Sequence, residues 1–289
     1  MILVLASCPA LARAQARPGA EPIHQARIQE AERVLERLVE TYGVSGMEDP
    51  VRAAVERLLP DGLRPETDSA GNLWLTLGKG EPTVVFVAHL DEVGFRVTSI
   101  RGDGTLELTP LGGFFPSLWE AKPALVHTGS ASIPGVFIPR GAAPGEMRRN
   151  PPELRADVGT GSRSATEALG IRAGNTLTMP KEYVRLAGPR ATGRSFDDRV
   201  GSAAQVLAVR RLTPARLKHT VIFLWSVREE IGLEGARAAA NALGLRPVRV
   251  HAIDTFVSAD SPLEPQNFAS APLGRGAVAR ALDNSSATP

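Results

Sequence analysis

The sequence predicts an α/β fold, a central mixed sheet flanked by helices, with a small β-rich domain inserted into it. Three observations carry this. Pro82–Ala88 (PTVVFVA) and Val221–Val227 (VIFLWSV) are continuously apolar, the pattern of central strands covered on both faces. A weaker apolar stretch, Val248–Ile253, follows an alanine-rich helical segment, Leu233–Leu243, and strand, helix, strand at this spacing reads as a βαβ unit with parallel strands. Between about Val97 and Leu186 the chain changes character, to short strand-like pieces broken by Gly and Pro.

In chain order, Met1–Ala16 is a short apolar stretch ending in Ala14-Gln15-Ala16, a pattern that signal peptidase cuts. It is shorter than the roughly 20 apolar residues a membrane-spanning helix needs. Leu5-Ala6-Ser7-Cys8 has the form of a lipoprotein box, with Cys8 as the lipid anchor. This N-terminus predicts export, periplasmic or extracellular. The alternatives are a buried strand, or a wrongly placed start codon and a cytoplasmic protein. Cys8 is the only cysteine, so no intramolecular disulfide exists.

Arg17–Ile23 is a Pro/Gly/Ala linker. From Gln25 to Tyr42 apolar residues recur at helical spacing, and after a turn at Gly43–Pro50 a second helix begins, with Pro50 where helices tolerate it. Asn72–Leu77 alternates as a half-buried strand. Arg140–Pro152 reads as a loop. The division is 1–22 for leader and linker, 23–96 with 187–289 for the split α/β domain, and 97–186 for the insertion. With a net charge of only +2 and basic residues scattered, no nucleic-acid surface is expected.

Four clusters of potential ligands fall just after apolar strands or at a helix start, and ligands of open α/β sheets bind outside the carboxyl ends of strands. In the first, His89 and Asp91 are two apart on a strand and share a face, so Asp91 can fix the imidazole. The bland reading is a satisfied polar histidine. In the second, Asp197-Asp198 open a helix, where capping is an equally ready explanation. In the third, Glu229-Glu230 end a buried strand, and two such carboxylates repel unless a cation or a proton compensates. The fourth is Asp254, past Val248–Ile253. One imidazole with several carboxylates and no thiolate suits zinc, cobalt or manganese in a hydrolytic site. Paired glutamates then divide labour, one binding metal and one moving a proton.

These motifs, with Ser45-Gly46-Met47-Glu48, Asp68-Ser69-Ala70-Gly71-Asn72, Asp157-Val158-Gly159 and Leu169–Gly174, resemble the tetrahedral aminopeptidase (glutamyl aminopeptidase-like) family of dinuclear metallopeptidases. The resemblance runs from about Arg33 to Asp283. It implies a zinc-exopeptidase-like domain interrupted by a dimerisation domain, and a dimer-based homo-oligomer acting on peptides. It implies two divalent ions, with Asp197 bridging them, His89 and Asp254 completing one site, and Glu230 belonging to the other. Glu229 becomes the general base, acting on a metal-bridged water, and Asp91 the partner of His89. Spacing alone does not separate Asp197 from Asp198.

The family supplies a further histidine after the Asp254 position. The histidines here are His24, His89, His127, His219 and His251, all before it. The expectation is therefore a C-terminally truncated member whose second metal site is incomplete. The alternative is an inactive relative that serves assembly or peptide binding. A two-carboxylate glycosidase using Glu229 and Glu230 fails on geometry, because such carboxylates face each other across the scissile bond at roughly 5–10 Å and are not chain neighbours.

Overall fold

The computed structural model describes residues 20–129, 131–141, 153–244, 247–256 and 271–279. The leader Met1–Ala16 with Cys8, most of the expected loop Arg140–Pro152, and Asp283 lie outside these residues. No helix among those described is long and apolar enough to cross a membrane.

The first helix, α1, spans Ala20–Val39, so it begins inside the segment expected as a linker and ends short of Tyr42. Pro22 falls in its first turn, where a missing N–H costs nothing. Helix α2 (Asp49–Leu58) carries Pro50 at its start. Strands β1 (Glu66–Thr67), β2 (Leu73–Leu77) and β3 (Thr83–His89) follow.

After β3 the chain enters a closed six-stranded barrel in the order β4-β5-β8-β7-β6-β9. Its strands are β4 (Gly94–Ile100), β5 (Leu106–Leu111), β6 (Pro123–His127), β7 (Ser132–Ile138), β8 (Arg155–Asp157) and β9 (Thr176–Thr178). Helix α3 (Arg163–Ala168) lies between the last two. The barrel thus runs from Gly94 to Thr178, starting three residues before the boundary expected at 97 and ending short of that expected at 186. A separate hairpin, β10 (Val184–Arg185) with β11 (Ala191–Thr192), takes up the remainder. Closure gives every strand a partner, and the interior packs around Phe95, Phe137, Leu106 and Leu177.

The chain returns through α4 (Phe196–Arg211), β12 (Thr220–Ser226), α5 (Glu234–Leu243) and β13 (Arg249–Ala252). The sheet order is β1-β2-β12-β3-β13, with β12 and β13 parallel to β3 and β2 antiparallel to β12, a mixed sheet as expected. Strand β3 sits between the two strands of the expected βαβ unit, so that unit skips one position.

Side-chain alternation assigns each strand residue to a layer. Leu73, Leu75, Phe223 and Trp225 point into the core under α1, α2 and α4. Trp74, Ile222 and Leu224 point to the opposite face, against Ala239 of α5. Gly235 lets α5 approach closely, because a Cβ there would sit 2.2 Å from the carbonyl of Val227.

Candidate metal centre

Strands β3 and β12 run parallel in register, with Ser226 opposite His89, so both chains leave the sheet at the same edge. Strand β13 pairs parallel to β3 on its other side and delivers Asp254 to that edge. Helix α4 packs against β3, with Ser202 Oγ donating to the His89 carbonyl at 2.9 Å. All four predicted clusters therefore meet at one place.

His89 is buried, and its Nε2 lies 3.0 Å from Asp197 Oδ1 and 3.9 Å from Glu229 Oε2. Its Nδ1 is 3.3 Å from Asp91 Oδ1 and 3.2 Å from the Asp91 carbonyl. A carboxylate on one ring nitrogen and an open acidic cluster on the other is the arrangement that fixes a metal-ligating imidazole. One ligand atom each from His89, Asp197 and Glu230 falls within a 4.8 Å circle, and the same holds for His89, Asp198 and Asp254.

Asp91 does more than face His89. Its carboxylate accepts from Ser45 Oγ at 2.6 Å and from the backbone N–H groups of Glu229 at 3.0 Å and Glu230 at 3.2 Å. One buried carboxylate thus fixes the histidine of one strand end and the glutamates of the next. Glu48 Oε1 braces the same turn, accepting from the N–H of Arg228 at 3.0 Å, and Asn72 Oδ1 accepts from that of Val227 at 3.0 Å. The barrel reaches in as well: Gly112 holds φ +97°, and a Cβ there would press on Val93 at 2.6 Å and Glu230 at 3.3 Å.

Of the two readings left open for the aspartate pair, capping falls on Asp198, which also offers a ligand atom beside His89 and Asp254. Asp198 is fully buried and accepts from the N–H groups of Gly201 at 2.9 Å and His89 at 3.2 Å, a capping role that also ties α4 to β3. Asp197 faces the cluster and hydrogen-bonds to His89 and to the side chain of Asp254.

Electrostatics show what the cluster lacks. Burial works against a charged His89, but hydrogen bonds with Asp197 and Asp91 and the charges of Asp91 and Asp198 push it up to about 11. Burial raises Glu230 to about 8, with repulsion from Asp197, Asp91 and Glu229 adding to it and His89 opposing. Burial likewise raises Asp198 to about 8, His89 opposing and Asp254 adding. Glu229 and Asp254 are also raised, first by burial. Carboxyls held this high keep their protons unless a cation supplies the balancing charge. The donor set, one oriented imidazole and oxygens only, fits a divalent ion of the zinc, cobalt or manganese type. His127 is instead bound to Ser132 and Thr178, His219 to the Glu81 carbonyl, and His251 stacks on Phe86, so no second imidazole joins the cluster among the described residues.

A pH dependence follows for the metal-free protein. Glu230 and Asp198 keep their protons to about pH 8 when folded but lose them near 4.5 and 3.8 when unfolded, so between those limits the folded state holds more protons. Stability then falls as pH rises through this window, and His89, raised from 6.5 to about 11, acts with the same sign above pH 6.5. The chelator-treated protein should melt at lower temperature at about pH 8 than at about pH 5, with added zinc restoring most at the higher pH, where it replaces protons. A metal-free melting temperature that climbs over this range would count against the cluster.

Sequence reasoning did not single out Glu92, Lys181 or Arg199. Arg199 is fully buried, its guanidinium donating to the carbonyls of Leu38 at 3.1 Å, Asp91 at 3.3 Å and Thr41 at 3.4 Å, and to that of Leu90. The only available signal was its place directly after the aspartate pair; a charged residue gives no local sign that it will be buried.

Comparison with known proteins identifies the family. Residues 71–289 match the M42 glutamyl aminopeptidase family. A lysyl aminopeptidase of Pyrococcus furiosus is 30% identical over 73% of this chain and 62% of its own length. An aminopeptidase from the archaeon Desulfurococcus kamchatkensis superposes with a TM-score of 0.76 at 29% identity, over 87% of this chain and 70% of its own. The TET1 peptidase of Pyrococcus horikoshii, which can assemble into a tetrahedron or a large octahedral shell, superposes with a TM-score of 0.69 at 31% identity, over 82% of this chain and 71% of its own. The chain spans 62 to 66% of the length of three curated relatives it matches. It belongs to the M42 glutamyl aminopeptidase family.

Proposed function

We propose that this member of the M42 family is a metal-dependent aminopeptidase, removing N-terminal residues from peptides with Glu229 as general base. The observation that carries the reading is the edge where His89 meets Asp197 and Glu230 on one side and Asp198 and Asp254 on the other, with Glu229 beside them. His89, Asp197, Glu230 and Asp254 would hold the divalent ions. When bound, such ions supply Lewis acidity and lower the pKa of water.

Glu229 is half-buried, its carboxyl above the ordinary range, and its backbone is pinned to Asp91. A carboxylate whose pKa is raised is the stronger base, and accepts a proton from an attacking water and later returns it to the leaving amine. Asp91 keeps the tautomer and direction of His89 fixed through both transfers. The surplus of acids around Asp197 and Asp254 attracts the free ammonium of a peptide N-terminus. The barrel serves assembly into dimer-based oligomers in this reading, supported by the shells that the Pyrococcus horikoshii relative forms.

The test is turnover by purified chain loaded with zinc, cobalt or manganese, against a panel of aminoacyl substrates. Release of amino acids that stops on chelation supports the proposal. Metal bound without release from any substrate sinks it in favour of a peptide-binding relative.

A further inference from the structure

Glu92 stands between the two domains, and the chemistry above makes no use of it. It follows Asp91 directly and lies two residues before β4, where the chain crosses from the sheet into the barrel. Its carboxylate is buried and meets three cations: Lys181 Nζ at 2.6 Å, Arg194 Nη2 at 3.1 Å and Arg199 Nη2 at 3.6 Å. The N–H of Gly43 adds a hydrogen bond at 3.0 Å.

Each donor comes from a different part of the fold. Gly43 belongs to the turn between α1 and α2, Lys181 to the chain leaving the barrel after β9, Arg194 to the chain entering α4, and Arg199 to α4 itself. Their remaining donors are committed to the same junction. Lys181 Nζ also reaches the Thr41 carbonyl at 2.9 Å and Ser195 Oγ at 3.0 Å. Arg194 donates to the carbonyls of Met179 at 2.9 Å and Val93 at 3.3 Å, and its guanidinium lies 5.2 Å from the ring centre of Trp119 in the barrel core.

We infer that Glu92 is a positioning residue: through Lys181, Arg194 and Arg199 it fixes the end of β3 and the start of α4 against the barrel, and so sets where His89 lies relative to Asp197. The chain of contacts is short. Asp91, the next residue back, carries His89 and the N–H groups of both glutamates, while Arg199 sits two residues beyond Asp197 in the same helix. A shift of the barrel on its seat moves Glu92, and with it the strand end that presents the imidazole. Burial alone would protonate Glu92, but Lys181, Arg199 and Arg194 hold it below the usual carboxylate range. Lys181 is pushed down to about 7 by burial, with Glu92 opposing and the arginines adding, as expected where one anion is shared among three cations. The 2.6 Å contact has the length of a charge-assisted hydrogen bond between buried partners.

The inference rests on the metal reading of the acidic cluster, and the test separates the two. Zinc alone is titrated into the full chain, as wild type, as Glu92→Gln, and as Glu92→Gln with Lys181→Met. The double variant removes anion and cation together and guards against a fold lost to unpaired buried charge. Expected is zinc binding weakened about 10- to 100-fold in both, with native circular dichroism. Amide exchange should quicken at residues 89–93 and 195–199 while β2 and β12 stay protected. A merely structural role would lower the melting temperature and quicken exchange throughout, yet leave the zinc affinity of the folded protein within about twofold of wild type, and that result overturns the inference. Should wild type take up no zinc, the metal reading falls, and unchanged exchange at 89–93 in the variants then overturns the role of Glu92 by itself.

Discussion

Replacing Glu229 with Gln should lower turnover by about 10²- to 10⁴-fold while metal content stays near wild type. The magnitude is that of a lost general base. The separation of the two effects comes from geometry. Glu229 lies 3.9 Å from His89 Nε2 but belongs to neither group of converging ligand atoms, whereas His89, Asp197 and Glu230 would hold the ion. Gln is the same size and leaves the backbone N–H of residue 229 bonded to Asp91. Turnover at fixed substrate, with metal per chain by elemental analysis, checks it. Loss of metal in step with activity would falsify the assignment and make Glu229 a ligand.

The second large effect is on stability. Arg199→Leu removes a fully buried guanidinium that donates to four backbone carbonyls and faces Glu92. Two of those carbonyls, Leu38 and Thr41, lie at or just past the end of α1, where carbonyls run short of α-helical donors; among the described residues Leu38 otherwise accepts only from the N–H of Thr41, and Thr41 from Lys181 Nζ. Breaking a buried charge network on one side costs about 3–5 kcal/mol. At roughly 2–4 °C per kcal/mol for a chain of this class, the melting temperature should fall by about 10 °C. Arg199→Lys keeps the charge but not the fork and should fall between. A thermal melt decides it; a shift of under about 2 °C for the leucine variant would mean that water or neighbouring donors satisfy those carbonyls.

The central strands were legible because burial on both faces writes itself into sequence as uninterrupted apolar runs, and β3 and β12 start and end within a residue or two of expectation. The parallel run of β12 and β13 was legible too, since a helix between strands implies parallel strands. That β3 would separate β12 from β13 was not, because strand order is decided by contacts distant in the chain. The barrel was legible only as composition. Its edges moved from 97 and 186 to Gly94 and Thr178, since strand pairing, not Gly or Pro content, sets where a barrel closes. Helix α1 began earlier than its periodicity indicated, because Pro22 costs nothing in a first turn.

At the site, the residue types were determined by sequence alone: one imidazole and a surplus of carboxylates at strand ends, which restricts the chemistry to oxygen-and-nitrogen metal sites whatever the fold. The motifs carrying Ser45, Glu48 and Asn72 were visible, though not their work, which is to hold the turns that present the ligands. Only tertiary structure decided that Asp198 caps and ties while Asp197 faces the cluster, that His251 stacks on Phe86, and that Glu92, Lys181 and Arg199 form a buried junction between domains. The physical reason is common to all three. Hydrophobic runs and ligand types are properties of short segments, readable one at a time. The direction of a carboxylate, and the worth of a buried charge, depend on groups from remote segments that meet only when the sheet, α4 and the barrel come together.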